Sequence, residues 1–293
     1  MRGATASIIV TRGRSGRGDE TEISNLGKTN KYKHKQNILL NERKFFMAIN
    51  YTFYEGGSYK YIKTRVENIK PVIINNRLLA TSYYGINGGF FSWGTGKPGD
   101  ANFVPPSPLG ISWYPGAQTD GKDYSEYNTA DDFTHTSRGT FCVYYNNSAG
   151  RYESVVYQNS SAASLKSVFQ SYGQNPNAFI GGGSLRLLDT QAVFDNVYNS
   201  EKWNLNSDLK DNGLVHRTGL GFKVENNVWY AYLIISGNRS LYDLRNLMLT
   251  LGCYDGIFLD GSGSTQMQCA EYTDNGTDNG RILSTAITLI NKT

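Results

Sequence analysis

The chain has few of the features that assign a protein at a glance. Its 293 residues include three cysteines, Cys142, Cys253 and Cys269, an odd number without CxxC or Cys/His spacing. Neither a disulfide framework nor a zinc site is implied by that pattern, and ordinary buried thiols are expected. No apolar run is long enough to span a bilayer. Ile8-Ile9-Val10 is too short for the apolar stretch of a secretory signal, and charged residues break up the chain after Val10. Localisation and oligomeric state therefore stay open. Charged residues make up 18% of the chain and aromatics 13%, the balance of an ordered globular protein. Most of those aromatics are expected in the core or on strands.

The net charge of +4 is unevenly placed. Residues 1–46 carry ten Lys/Arg against four Asp/Glu, whereas the remainder carries nineteen against twenty-one. The basic surplus thus belongs to the head, which has no apolar period. A nucleic-acid-binding domain would spread its positive charge over folded surface, so no nucleic-acid partner is expected. The expected organisation is a disordered basic extension over 1–46 and one domain over 47–293.

Two segments have helical periodicity. Over 161–172, Leu165, Val168, Phe169 and Tyr172 recur behind Ser160 and Ser161 as candidate caps. After Ser240, with Asp243 at the capping-box position, Leu241, Leu244, Leu247, Met248 and Leu251 form a stripe that Gly252 ends. Strands are expected at 221–225 and 228–235 around an Asn226-Asn227 turn, at 140–145 and 152–157, and at 283–290. Long polar loops are expected over 94–137 and 189–213. The fold class is α+β, with a mixed, largely antiparallel sheet core and a few flanking helices.

The chemistry concentrates in Gly256-Ile257-Phe258-Leu259-Asp260-Gly261-Ser262-Gly263-Ser264-Thr265. An apolar strand ends on one carboxylate, and a glycine-rich, hydroxyl-bearing turn comes next. Backbone N–H groups in such a turn can cradle an anionic oxygen. A plain β-turn after a core strand would also favour Asp and Gly. Four further segments stand in order with it: Ile86-Asn87-Gly88-Gly89-Phe90-Phe91, Ile180-Gly181-Gly182-Gly183-Ser184, His216-Arg217-Thr218-Gly219 and Ile234-Ile235-Ser236-Gly237-Asn238-Arg239. Asp274 to Gly280 alternates oxygen-bearing residues with glycines but lacks the EF-hand spacing and its closing Glu. It is expected to be a turn-rich loop, and neither a metal nor a cofactor is expected.

From about Tyr84 to Ile290 the chain resembles the phosphodiester glycosidase family. The resemblance rests on Asn87-Gly88-Gly89-Phe90-Phe91, Gly181-Gly182-Gly183, Arg217-Thr218, Leu259-Asp260-Gly261, Gly263-Ser264-Thr265 and Gly280-Arg281. It implies hydrolysis of a sugar-1-phosphodiester, such as a GlcNAc-1-phosphate diester or a related phosphorylated glycan, at the anomeric C1–O bond. Two residues depart from the family pattern. Ser262 replaces a middle glycine, so a positive φ there would be strained, and Ser236 stands where many members carry an acid.

The residue types suit that reaction. A phosphate leaves as a stable anion, its second pKa being about 6, so the site must supply cations for the phosphate and one carboxylate for the sugar. Asp260 and Arg217 are the expected catalytic residues, the former as base or nucleophile. Arg281 and Arg239 are further candidates for the phosphate. Asn87, Gly88, Gly182, Gly183, Thr218, Gly261, Ser264 and Thr265 complete the expected substrate-binding set. His216 and His135 are expected to be structural or solvent-facing. Two other functions fit the same residues: a non-catalytic glycan-binding module, and a phosphodiesterase cutting P–O. The absence of His/Asp metal clusters counts against the second.

Overall fold

A computed structural model of the chain describes residues 50–117, 124–130, 132–203, 214–277 and 280–293. The basic extension expected over 1–46 lies outside the described residues. Three antiparallel sheets carry the architecture. The first has six strands, in the order Tyr51–Gly56, Tyr59–Arg65, Val228–Arg239, Val215–Glu225, Asp255–Phe258 and Gly183–Ser184. The second orders Ser112–Trp113, Gln174–Gly181, Arg138–Asn146 and Arg151–Asn159. The third orders Thr273–Asp274, Met267–Gln268, Gly85–Asn87, Leu283–Leu289 and Ile69–Asn76. The class is α+β, as expected.

Local sequence explains the elements that the sequence marks best. Asn226 and Asn227 take φ of 49° and 66°, the left-handed pair that a two-residue hairpin turn needs and that Asn tolerates. They join the two longest strands of the first sheet. Ser240 and Asp243 form a reciprocal capping box at the start of helix Leu241–Thr250. Gly252, at φ 80°, ends that helix in the conformation glycine adopts without cost. Leu244, Leu247 and Met248 face inward from the helix, each such side chain contributing about 2 kcal/mol by its burial. The helix sits close to the sheet because Gly219 has no side chain: a Cβ there would lie 2.3 Å from the Met248 methyl. Helix Ala162–Ser171 is capped by Ser161, whose hydroxyl accepts the Ser164 N–H. It buries Leu165 and Phe169 against Phe179 and Tyr144. Tyr172, expected in its apolar stripe, lies just past the helix and is exposed.

Two expected loops contain structure. Gln191–Ser200 is a helix inside 189–213, capped by Thr190 and packed through Phe194 and Tyr198. Its apolar stripe is only those two aromatics, four residues apart, which is too thin to show through a polar composition. Within 94–137, Ser112–Trp113 pairs with Phe179 and Ile180, and Phe91–Ser92 pairs with Ser107–Pro108. The main core lies where the sheets meet, with Ile62, Ile86, Phe141, Ile180, Leu220, Leu233, Ile257 and Ile287 in one cluster. All three cysteines are free and buried. Among the described residues no helix is long and apolar enough to cross a membrane.

Candidate active site

Strand register sets the site. Asp255–Phe258 is flanked by Val215–Glu225 and Gly183–Ser184, and Gly219 faces Phe258 in the antiparallel ladder. Continuing that register sets Arg217 opposite Asp260 and His216 opposite Gly261. Opposite residues of an antiparallel pair present their side chains on one face. Arg217 and Asp260 both line a cleft of about 570 Å³, together with Gly261, Ser262 and Arg281. The requirement for glycine at 261 is steric, since a Cβ there would stand 2.6 Å from the His216 carbonyl oxygen.

Asp260 is held by its neighbours in the turn. One carboxylate oxygen accepts the Gly261 N–H at 2.9 Å, and the Ser264 hydroxyl bonds the same carboxyl group. Arg281 donates in turn to that hydroxyl at 3.3 Å. Burial raises the Asp260 pKa from its ordinary value to about 6, against the opposing pull of Ser264, Arg281 and the Gly261 N–H. Arg217 is 3% exposed, and desolvation lowers its pKa to about 10. It stays cationic at neutral pH. Its Nε donates to the Arg239 carbonyl at 2.8 Å, which fixes the guanidinium plane. Arg281 lies over the Trp93 ring at 4.4 Å. The charged groups among the described lining residues are thus one carboxylate and two guanidiniums.

The expected small residues sit behind this wall. Asn87 is fully buried; its amide donates to the Asp260 carbonyl at 2.8 Å, and its side-chain oxygen accepts from Thr218 Oγ1 and the Gln266 N–H. Thr218 also reaches Thr265 Oγ1 at 3.2 Å. Asn87, Thr218 and Thr265 therefore form a buried network under Asp260 and do not line the cleft. Gly88, Gly182 and Gly183 permit close packing: a Cβ at each would stand 2.1 Å from Thr285 Oγ1, 2.5 Å from the Phe258 oxygen and 2.1 Å from the Phe258 ring, respectively. The Arg239 side chain turns to the Ser58 hydroxyl at 2.6 Å, outside the cleft. Ser264 is buried but joins Asp260 to Arg281. His216 and Ser236 border a separate, smaller cavity, and His135 stacks on Tyr127.

Ser262 takes φ of 55°, the left-handed conformation expected to strain a non-glycine residue. It begins the short turn Ser262–Ser264, whose Ser264 hydroxyl bonds the Asp260 carboxyl. Aromatic rings supply much of the rest of the cleft wall; Phe90 and Phe91 belong to the Asn87–Phe91 segment, whereas Trp93, Phe133 and Trp203 bear no mark in the sequence. Phe90 packs on Trp203 at 4.5 Å, and Trp93 and Phe133 are about 70% exposed at the rim. Trp203 is fixed from behind, with its indole N–H on buried Glu201 at 2.7 Å and the Arg138 guanidinium 3.5 Å over its ring. Glu201 also accepts from the Ser184 N–H and hydroxyl, and burial raises its pKa. In a chain with this many aromatics, only their clustering in space separates Trp93, Phe133 and Trp203 from core residues.

The arrangement can bind an anion on two cations while presenting a carboxylate of near-neutral pKa to the adjoining group. A family model for phosphodiester glycosidases matches residues 80–290. Among solved structures, the catalytic domain of zebrafish N-acetylglucosamine-1-phosphodiester alpha-N-acetylglucosaminidase, auto-inhibited by pro-peptide, is similar with a TM-score of 0.51. Identity is 14%, over 82% of this chain and 81% of that one. A hypothetical protein from Synechocystis is similar with a TM-score of 0.45 and 12% identity, over 81% of this chain and 61% of that one. No curated protein matches the chain in sequence. The zebrafish structure shares the fold, and the family model spans most of the chain. The chain belongs to the phosphodiester glycosidase family.

Proposed function

We propose that the protein hydrolyses a sugar-1-phosphodiester at the anomeric C1–O bond, releasing free sugar and a phosphate monoester. The convergence of Asp260 with Arg217 and Arg281 in one cleft carries this reading. A GlcNAc-1-phosphate diester is the substrate to try first, because the zebrafish relative is named for that reaction. Arg217 and Arg281 hold the phosphate. Charge grows on its bridging oxygen as the C1–O bond breaks, and the guanidiniums meet that charge without reorganising.

Asp260 acts as the general base for the attacking water. A pKa of about 6 leaves it mostly ionised at pH 7 yet basic enough to take a proton. Inversion at C1 needs one acid and one base; a phosphate leaving group replaces the acid, so a single carboxylate is enough. Retention would need a nucleophile and then a base. With Asp260 acting as base on water, the product sugar would be released with inverted configuration. Asn87, Thr218 and Thr265 contribute by holding the Asp260 backbone, not by touching substrate.

Hydrolysis in heavy-oxygen water tests which bond breaks. The label enters the sugar hydroxyl at C1 if water attacks carbon. Label in the phosphate would make the protein a phosphodiesterase cutting P–O, and no turnover on any sugar phosphodiester would favour a binding module.

A further inference from the structure

Arg281 borders two cavities. On one side is the cleft with Asp260; on the other lies a smaller trough of about 170 Å³, and Phe91 and Trp93 are shared by both. The trough is walled by Phe103, Val104 and Pro106. Val104 and Trp93 are 55% and 70% exposed, an uncovered apolar surface continuous with a cation. Its walls are held in place. A Thr95–Val104 bridge ties the two sides of the loop together, and Gly94 is required there because a Cβ would stand 2.1 Å from the Val104 oxygen. Phe91 meets Trp93 edge to face at 6.0 Å.

The order of groups across this face is carboxylate, Ser264 hydroxyl, guanidinium, indole, then apolar trough. A sugar-1-phosphodiester has the matching order of anomeric carbon, phosphate and second alcohol. We infer that the trough beyond Trp93 is the subsite for the second alcohol of the diester, and that it selects an apolar, hydrocarbon-bearing or aromatic group. The inference rests on Arg281 holding the phosphate. Phosphate anchored there leaves its outer ester oxygen facing Trp93. A methyl ester would leave the trough wet, whereas a butyl or phenyl ester covers Val104 and the indole face, gaining about fourfold in affinity per methylene buried. A polyol would set hydroxyls against the Phe103, Val104 and Pro106 side chains, which return no hydrogen bonds.

Calorimetric binding of inorganic phosphate and of methyl, glyceryl, butyl and phenyl phosphate to the full chain tests this without requiring turnover. Affinity is expected to rise at least tenfold from methyl to butyl or phenyl phosphate, with glyceryl phosphate no tighter than methyl. Val104→Asp, at an exposed position, and Trp93→Ala are each expected to cut that gain below about threefold. Phosphate binding with a flat series in the wild type, or a gain surviving both variants, would overturn the subsite alone. Failure of inorganic phosphate to bind, or binding that Arg281→Ala leaves intact, would overturn the anion site and this inference with it. A rising series in a protein that hydrolyses no sugar phosphodiester would leave the subsite standing and remove the catalytic reading.

Discussion

Asn87 donates its side-chain amide to the backbone carbonyl of Asp260, 173 residues away in sequence, at 2.8 Å. The bond ties the third sheet to the end of the strand that carries the carboxylate. Because the Asn87 side-chain oxygen also accepts from Thr218 and from the Gln266 N–H, one buried amide sets three chain segments against each other.

Removing that amide should damage geometry and stability together. Asn87→Ala leaves the Asp260 carbonyl, the Thr218 hydroxyl and the Gln266 N–H short of partners in a dry site. At about 1–3 kcal/mol for a stranded buried group, denaturant unfolding should show a loss of at least 2 kcal/mol. Turnover should fall by about tenfold or more, with phosphate affinity changed less, since neither Arg217 nor Arg281 bonds to Asn87. A variant with wild-type stability and a selective rise in KM would instead make Asn87 a substrate contact.

The raised Asp260 pKa has opposite consequences for activity and stability. With Asp260 as the proposed general base, kcat/KM should rise with pH along a limb centred near 6. Stability runs the other way. The native carboxyl holds its proton more tightly than the unfolded one, so this group's contribution is greatest below about pH 4, declines through pH 6 and is flat above it. The loss amounts to about 3 kcal/mol. Asp260→Asn should therefore melt higher than wild type at pH 7, with the difference shrinking towards pH 4. Equal melting temperatures at both pH values would mean the carboxyl is not desolvated.

Ser262 offers a test of stored strain. Ser262→Gly relieves the φ of 55° and should stabilise by about 0.5–1 kcal/mol net of glycine's greater unfolded-state freedom. Ser262→Ala keeps the strain and should show no such gain. Thermal melts of the pair separate backbone relief from loss of the hydroxyl; stabilisation by both would point to the side chain instead.

What the sequence made legible was local chemistry: the Asn226-Asn227 turn, the Ser240–Asp243 cap, the Gly252 stop and the apolar run into Asp260. Each depends on residues within a few positions of one another. Gln191–Ser200 was hidden because two aromatics alone face its core. The division between Asn87, Thr218 and Thr265 behind the site and Arg217, Asp260 and Arg281 within it was also hidden. A small polar residue beside glycine can hold a backbone carbonyl or a sugar hydroxyl, and only the fold decides which. Arg239 shows the same ambiguity, since its carbonyl serves the site while its side chain turns away to Ser58. Trp93, Phe133 and Trp203 carried no mark at all in a chain rich in aromatics.

The two arginines should behave unequally. Arg217 is buried and oriented by the Arg239 carbonyl, so Arg217→Lys, which lacks the planar fork, should lose most of the function that Arg217→Ala loses. Both variants should weaken phosphate binding and lower kcat, as expected of a guanidinium that meets charge in ground and transition states alike under the proposed mechanism. Phosphate titration with steady-state kinetics checks this. Full activity in Arg217→Lys would reduce Arg217 to a general positive field.

Single-turnover kinetics of Asp260→Asn would separate proton transfer by Asp260 from phosphate binding by the two arginines. If Asp260 is the base, the chemical step should fall by roughly two to four orders of magnitude and the limb near pH 6 should disappear, while affinity for a phosphate monoester stays within a few fold of wild type. Near-normal turnover in Asp260→Asn, with the pH limb intact, would leave Asp260 a turn residue only.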